Sequence, residues 1–319
     1  MQSSNSIKIL CSPDNNYVPY CGIMLTSLFE NNKDSKFEVY VMCESLSIKN
    51  KENLERLSKL YNAKIEIIQI DKTIFKKCPI RVGDHVSIAA YYRLIAADVL
   101  PKDLDKILYL DCDTIINGSI KGLYNTDISE YALGACIDEG FYNEEHYKRL
   151  CYSQEHPYIN SGVILFNLKY WRENNIVNKC LEYIVNNTDR VIFHDQDTLN
   201  AVLHKQIRLL PIKNNLQTMF LLSEYTKNYN VNFVKEIINT AQKPIIIHFT
   251  GASKPWFKGS RHPFCNRFLH YRKISLWRTI PLVTHKTSIY DYLMRLRNEI
   301  IWALGLKKRP ISYIIEKQD

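Results

Sequence analysis

The chain has 319 residues, 46% apolar and 24% charged, which excludes a disordered chain and leaves room for one large domain with an appendage. Its charge of +9 is lopsided: residues 1–260 carry 30 basic and 29 acidic side chains, residues 261–319 carry 12 and 4. The body therefore has no basic stripe for nucleic acid, and no segment reaches the ~18 consecutive apolar residues of a membrane-spanning helix.

Residues 1–6 hold no cation ahead of an apolar run, so no secretory signal is expected and the chain reads as cytoplasmic. The run 6–11 is a strand, Ser12 to Asn15 a polar turn, and Tyr17 to Phe29 a helix. A strand over 37–43, a helix over 47–61 and an alternating strand over 64–70 repeat the pattern, which predicts βαβαβ and a mainly parallel sheet. A helix is expected over 88–100, stopped by Pro101, and then the apolar strand 106–110 runs straight into Asp111. Further strands are expected at 132–137, 162–167, 207–210 and 245–249, with helices at 169–185 and 195–205. No repeat or Pro/Gly/Ser-rich linker interrupts this order, so residues 6–260 read as one doubly wound, Rossmann-like α/β domain.

Residues 261–319 form a basic, helical extension that interleaves cations with rings: Arg267, Phe268, Tyr271, Arg272, Lys273, Trp277 and Arg278, then Tyr290, Tyr292, Arg295, Arg297, Trp302 and Lys307 to Arg309. From Ile289, the apolar residues Leu293, Leu296, Ile300 and Leu304 recur at steps of three to four, predicting a helix with one apolar stripe. Two readings stand: peripheral contact with an anionic membrane surface, or a helix packed on the parent domain with a solvated basic face. Nine cysteines scattered from Cys11 to Cys265, with no C-x-x-C pair, read as reduced thiols.

Asp111, Cys112 and Asp113 follow strand 106–110 directly. In extended chain, residues two apart share a side, so both carboxylates can face one site while Cys112 turns into the core. Paired carboxylates repel, and a divalent cation relieves this; the plainer alternative is a turn cap at Asp111 and a solvated Asp113. His248 closes an aliphatic strand and leads into Thr250, Gly251, Lys254 and Trp256. Two carboxylates, an imidazole and phosphate oxygens favour Mn²⁺ or Mg²⁺ over tetrahedral Zn²⁺, whereas the alternative is a satisfied core histidine. Lys254 offers phosphate a point charge and Gly251 a close backbone approach.

Asp14, Asn15, Asn16 and Tyr17 suit a base or ribose, or simply form a turn. Without a Walker or G-x-G-x-x-G pattern, phosphate must be held by a metal. His194, Asp195, Gln196 and Asp197 open a helix, where acids offset the dipole; capping accounts for one acid, not the group. Asp138 follows one strand and Asn160, Ser161 and Gly162 precede another, as loop residues or as sugar-hydroxyl ligands.

Jointly these segments resemble the retaining, metal-dependent glycosyltransferases typified by bacterial lipooligosaccharide galactosyltransferases and lipopolysaccharide glucosyltransferases, with glycogenin a distant relative. The resemblance covers roughly residues 6–260 and rests on DNNY at Asp14 to Tyr17, AYYRL at Ala90 to Leu94 and ILYLDCD at Ile107 to Asp113, then NSGVILFNLKYW at Asn160 to Trp171, DQDTLN at Asp195 to Asn200 and HFTGASKPW at His248 to Trp256. It implies a nucleotide-diphospho-sugar transferase fold of the GT-A type, a UDP-sugar donor and Mn²⁺. By position it implies Asp111, Asp113 and His248 as metal ligands, Asp14, Asn16 and Tyr17 at uridine, and Gly251 and Lys254 at the diphosphate. Arg93, Asp111, Asp138, Asn160, Asp195 and Gln196 resemble donor contacts. Gln196 resembles the residue beneath the sugar and Asp197 the carboxylate proposed as nucleophile, which with Asp195 make the implied catalytic set. Ala90 departs from the pattern, standing where a hydroxylated residue often precedes Tyr91.

The function this implies is transfer of a hexose from UDP-glucose or UDP-galactose to a glycan or glycolipid acceptor, in lipopolysaccharide or surface polysaccharide synthesis. A cation and Lys254 stabilise the departing diphosphate as an oxocarbenium-like centre forms. Retention requires attack from the face the diphosphate leaves, or a two-step exchange through an enzyme nucleophile. Two rivals differ in product. A haloacid-dehalogenase-type phosphatase would release phosphate, but Ile115 stands where it needs Thr or Val and no G-D-G-x-x-D run follows. A catalytically silent nucleotide-sugar binder acting as a membrane scaffold would release nothing.

Overall fold

The computed structural model describes residues 6–80, 87–222, 228–252, 254–260, 262–284, 296–297, 300–301 and 304–306. The aliphatic runs of the first seventy residues form β1 (Ile7–Cys11), β2 (Phe37–Cys43) and β3 (Lys64–Gln69), alternating with α1 (Val18–Glu30) and α2 (Ile48–Tyr61). Successive β1 side chains enter opposite apolar layers: Ile9 and Cys11 pack on the α1 side, Leu10 with Tyr91 and Trp171 on the other. Ser47 caps α2 by accepting the Asn50 amide, and Asn62 ends it at φ 48°.

The helix expected over 88–100 is a 3₁₀ turn, Ile88–Ile95, running into the short α3 (Ala96–Val99). The tighter winding stacks residue i over i+3, and Arg93 Nε donates back to the Ala90 carbonyl at 3.1 Å. There follow β4 (Lys106–Leu110), β5 (Thr114–Ile116), α4 (Lys121–Tyr124), β6 (Leu133–Ile137), α5 (Glu144–Leu150) and β7 (Ile159–Asn167). The helix expected over 169–185 is α6 (Leu168–Glu173) and α7 (Ile176–Asn186), broken where Asn175 takes φ 53°. The chain continues with α8 (His194–Leu203), β8 (Ile207–Leu209), β9 (Leu216–Gln217), α9 (Val231–Gln242), β10 (Ile246–His248) and α10 (Cys265–Ile274).

The main sheet has the order β3-β2-β1-β4-β7-β6-β8, and β7 runs antiparallel to both neighbours while the other pairs are parallel. This is the mainly parallel α/β architecture expected. Strand order reverses beside β1, with β2 on one side and β4 on the other, which opens a crevice beyond their carboxyl ends at Ser12 and Asp111. A small second sheet, β5-β10-β9, stands against this crevice.

Residues past 260 divide between two outcomes. Phe268, Tyr271 and Trp277 are buried in the main core rather than presented to a surface. α10 packs on α1, where Asn31 Nδ2 donates to Tyr271 Oη at 2.7 Å. The Trp277 ring fills the space a Cβ on Gly22 would need, its Cζ3 only 2.0 Å from that point, so glycine is required there. The packed unit thus extends beyond residue 260. Ile289, Tyr290, Tyr292, Leu293, Arg295, Trp302 and Lys307 to Arg309 lie outside the described residues. Among the described residues, no helix is long and apolar enough to cross a membrane.

Candidate active site

β4 delivers Asp111 to the crevice, and the chain then turns: Thr114 N donates to Asp111 O at 3.3 Å, and β5 begins. The two carboxylates converge through this turn, not through the strand alternation expected, while Cys112 does pack against the core. β5 lies antiparallel to β10 with Thr114 opposite His248, and Phe249 N donates to Asp113 O at 3.0 Å. Register therefore sets His248 beside Asp113. From the other side β7 supports Asp111, whose amide donates to Gly162 O at 2.8 Å.

His248 Nε2 lies 3.2 Å from Asp113 Oδ1 and 3.8 Å from Asp111 Oδ2. Ligand atoms of the three residues fall within 4.8 Å of one another, a spacing and a hard donor set that fit a divalent cation. Gly162 makes this convergence possible, because a Cβ there would sit 2.1 Å from His248 Cε1 and 2.7 Å from Asp111 Oδ2. Lys254 Nζ donates to Asp113 Oδ2 at 2.5 Å and to Phe249 O at 2.6 Å. Burial works to raise the Asp113 carboxyl, but Lys254 and His248 outweigh it and hold it well below the usual carboxylate range. Burial opposes charge on His248 as well, yet Asp113 and then Asp111 raise it.

Arg93 is buried beneath Asp111, donating to its Oδ1 at 2.9 Å and pairing with Asp195 Oδ2 at 3.2 Å. Burial disfavours the guanidinium charge, but Asp111 and Asp195 overcome it and raise its pKa. Burial in turn raises Asp195, with Arg93 opposing. Tyr109, which the sequence did not single out, donates to Asp111 Oδ1 at 2.7 Å and lies under the Arg93 guanidinium.

On the opposite wall Asn160 and Gln196 both donate to Asp138 Oδ2, at 3.0 and 3.1 Å, and Gln196 Oε1 accepts the Ser161 amide at 3.1 Å. Asn160 and Ser161 sit inside β7 rather than ahead of it, so these amides are carried by a strand. Gly251, at φ 74°, turns the chain between His248 and Lys254. Trp256, from the same block, stacks on Tyr20 with ring centroids 3.8 Å apart and meets Tyr17 edge-on, which docks this block against the Asp14 turn.

These groups line one cavity of about 1130 Å³, and twelve of the fourteen residues singled out reach its wall. Asn16 and Asp197 do not. Asn16 is exposed, and the turn's polar work falls to Asp14, whose Oδ1 accepts the Asn16 and Tyr17 amides. Asp197 is 0% exposed and its oxygens accept from both Arg149 terminal nitrogens, Tyr158 Oη and the Ile192 and Phe193 amides. That saturation gives it a structural duty and leaves no lone pair free for a nucleophile. Sequence reasoning also missed Asn215, Gln217 and Glu139. Glu139 lines the cavity, accepts from Met219 N and Thr250 Oγ1, and is pushed up to about 7 by burial and then by Asp138.

Residues 8–259 match the glycosyl transferase family 8 pattern. General stress protein A of Bacillus subtilis is 29% identical over 88% of this chain and 98% of its own length. A lipopolysaccharide 1,2-glucosyltransferase of Escherichia coli is 29% identical over 84% of this chain and 78% of its own. A lipopolysaccharide 1,3-galactosyltransferase of Salmonella typhimurium is 28% identical over 86% and 80%. Among solved structures, the galactosyltransferase LgtC with donor and acceptor sugar analogues superposes with a TM-score of 0.77 over 86% of this chain and 98% of that one, at 24% identity, a likeness of fold. The chain belongs to glycosyl transferase family 8.

Proposed function

We propose that the protein is a retaining hexosyltransferase that moves glucose or galactose from a UDP-sugar to a glycan or glycolipid acceptor, with Mn²⁺ or Mg²⁺ held by Asp111, Asp113 and His248. The convergence of these three ligands with Lys254 at the mouth of the crevice carries the reading. The bound cation supplies positive charge for the diphosphate leaving group. Lys254 adds a second positive charge at the same place, on a loop fixed by its bond to Phe249 O. Asp138, Asn160 and Gln196 form a joined polar wall that suits sugar hydroxyls. Asp14 and Tyr17 hold the uridine end.

For retention, attack from the face the diphosphate leaves fits best, since Asp197 is turned away from the cavity and Asp195 is engaged by Arg93. Gln196, whose amide is on the cavity wall, lies where it can support the developing charge. The names of the lipopolysaccharide glycosyltransferases among the relatives support an acceptor of that class, and α5 offers the cavity Glu144, Glu145 and Lys148 as acceptor contacts. Family membership leaves no place for a haloacid-dehalogenase phosphatase, and a formed cavity with its charged groups in register argues for an enzyme over a silent scaffold. Peripheral membrane contact now rests on basic residues past 284, because the rings of 268–277 serve the core.

The test is UDP release from UDP-glucose and UDP-galactose with Mn²⁺, with and without chelator. Wild type should release UDP only with the metal, and Asp113→Ala should lose at least ~10²-fold. Equal release by wild type and variant would sink the metal assignment.

A further inference from the structure

We propose that Asn215 is a positioning residue that sets the His248 tautomer and ties the metal ligands to the donor-sugar wall; this rests on the metal site proposed above. Neighbouring groups force the donor or acceptor role of each atom around Asn215. A backbone N–H only donates, and Gly162 N lies 3.0 Å from Asn160 Oδ1. At its other end Asn160 donates through Nδ2 to Asp138 Oδ2 at 3.0 Å, so its amide has one orientation, oxygen toward Gly162. Asn215 reaches that same oxygen at 2.9 Å and must therefore present its NH₂ group.

Its carbonyl oxygen is thereby turned to His248 Nδ1, 2.9 Å away. A carbonyl oxygen only accepts, so Nδ1 carries the proton. Nε2, which faces Asp113 at 3.2 Å, keeps its lone pair for a cation. One buried amide thus fixes a metal ligand on one side and a sugar-wall residue on the other. Local chain geometry places it there: β9 runs parallel to β10 with Leu216 beside Ile247 and Gln217 beside His248. Asn215 precedes β9 by one residue and is 0% exposed. Gln217, two residues on, is also fully buried; it donates to Ile137 O and accepts the Glu139 amide, holding the turn that carries Asp138.

The experiment compares the full-length wild type with Asn215→Ala and Asn215→Asp. Aspartate supplies an oxygen to Nδ1–H but has no hydrogen to give Asn160. Mn²⁺ binding is measured by electron paramagnetic resonance without sugar nucleotide, the tautomer by ¹⁵N resonances of His248 in metal-free protein above the imidazole titration, and folding by thermal melts. Asn215→Ala should weaken Mn²⁺ binding about 10- to 100-fold and let His248 carry its proton on Nε2. Asn215→Asp should restore both, yet raise KM for the UDP-sugar, because the tie to Asn160 stays broken. If Asn215→Ala does not fold, Asn215→Asp decides alone: a wild-type tautomer with raised KM supports the proposal. Wild-type Mn²⁺ affinity in Asn215→Ala, or Nε2-protonated His248 in wild type, overturns it. A wild type that binds no Mn²⁺ overturns the metal site instead, and the tautomer then judges Asn215.

Discussion

Gly162 offers the sharpest test of the site, because one methyl group there meets two of the three proposed metal ligands. An alanine Cβ would lie 2.1 Å from His248 Cε1, 2.8 Å from His248 Nδ1 and 2.7 Å from Asp111 Oδ2, where ordinary contact begins at 3.4 Å. Relief requires the ring to retreat by about 1.3 Å, whereas ligand distances in metal sites tolerate about ±0.2 Å. His248 cannot retreat freely, since β10 holds it between β5 and β9 and Asn215 holds its ring. Overpacking of this kind typically costs about 1–3 kcal/mol, so the fold should survive with a lowered Tm. The backbone itself accepts alanine, as Gly162 lies outside the left-handed region. Misplacement by about an ångström costs on the order of 10²-fold in rate, so Gly162→Ala should lose about that much in UDP release and in Mn²⁺ affinity. Gly122→Ala, where no atom lies within 4 Å of the new methyl, is the control and should match wild type. A folded Gly162→Ala protein that binds Mn²⁺ and releases UDP as wild type does would refute the convergence of ligands around this position.

Three further outcomes follow from the same contacts. Glu139, raised from 4.5 to about 7, binds its proton more tightly in the folded state, so its stabilising contribution is full below about pH 4.5 and is lost as pH rises through 7. Glu139→Gln, whose amide oxygen can keep the Met219 and Thr250 bonds, should remove a pH-dependent loss on the order of 2–3 kcal/mol, read by chemical denaturation on either side of that window. Asp197→Asn should destabilise the fold by ~3 kcal/mol by leaving Arg149 without its countercharge, while Gln196→Ala should melt near wild type and lose kcat; the reverse pattern would return Asp197 to the chemistry. Trp277→Ala should cost about 3–5 kcal/mol, through the void left beside Gly22, with KM for the UDP-sugar unchanged; a wild-type melt would place the ring outside the core.

The elements legible in the sequence were those whose own pattern suffices. β1, β2, β4 and β7 are mostly apolar runs buried on both faces, and α2 carries its own Ser47 cap, so strand and helix are readable directly, and with them the parallel order of β1, β2 and β4; the antiparallel course of β7 is not. β5 and β9, three and two residues long, have no periodicity to detect and exist because β10 pairs with both. The rings of residues 268–277 leave two readings open in the sequence for a related reason. Aromatic and basic composition is the same whether the rings face a lipid surface or a core, and the decision lies in Gly22 and Asn31, some 240 residues earlier in the chain.

The site divides in the same way. Asp111 follows β4 directly and His248 ends β10, so the sequence already sets a charged or titratable group at each strand end; Asp113 reaches them through the turn into β5, and Lys254, in the loop beyond β10, through its bonds to Asp113 and Phe249. For Asp197 the resemblance alone implies a nucleophile: this acid, next to Gln196 in sequence, is turned away from it by the helix, onto Arg149 and Tyr158. Asn215 was under-read because its neighbours in sequence, Asn214 and Leu216, mark an ordinary loop, and asparagine is a common turn residue. Its role is a matter of donor and acceptor parity along Gly162, Asn160, Asn215 and His248, residues from three separate segments. Parity of that kind is invisible until the segments are in contact, yet once they are it leaves one arrangement of protons. A charged ligand can be guessed from its own residue type; the neutral amide that aims it is recognisable only from the partners it satisfies.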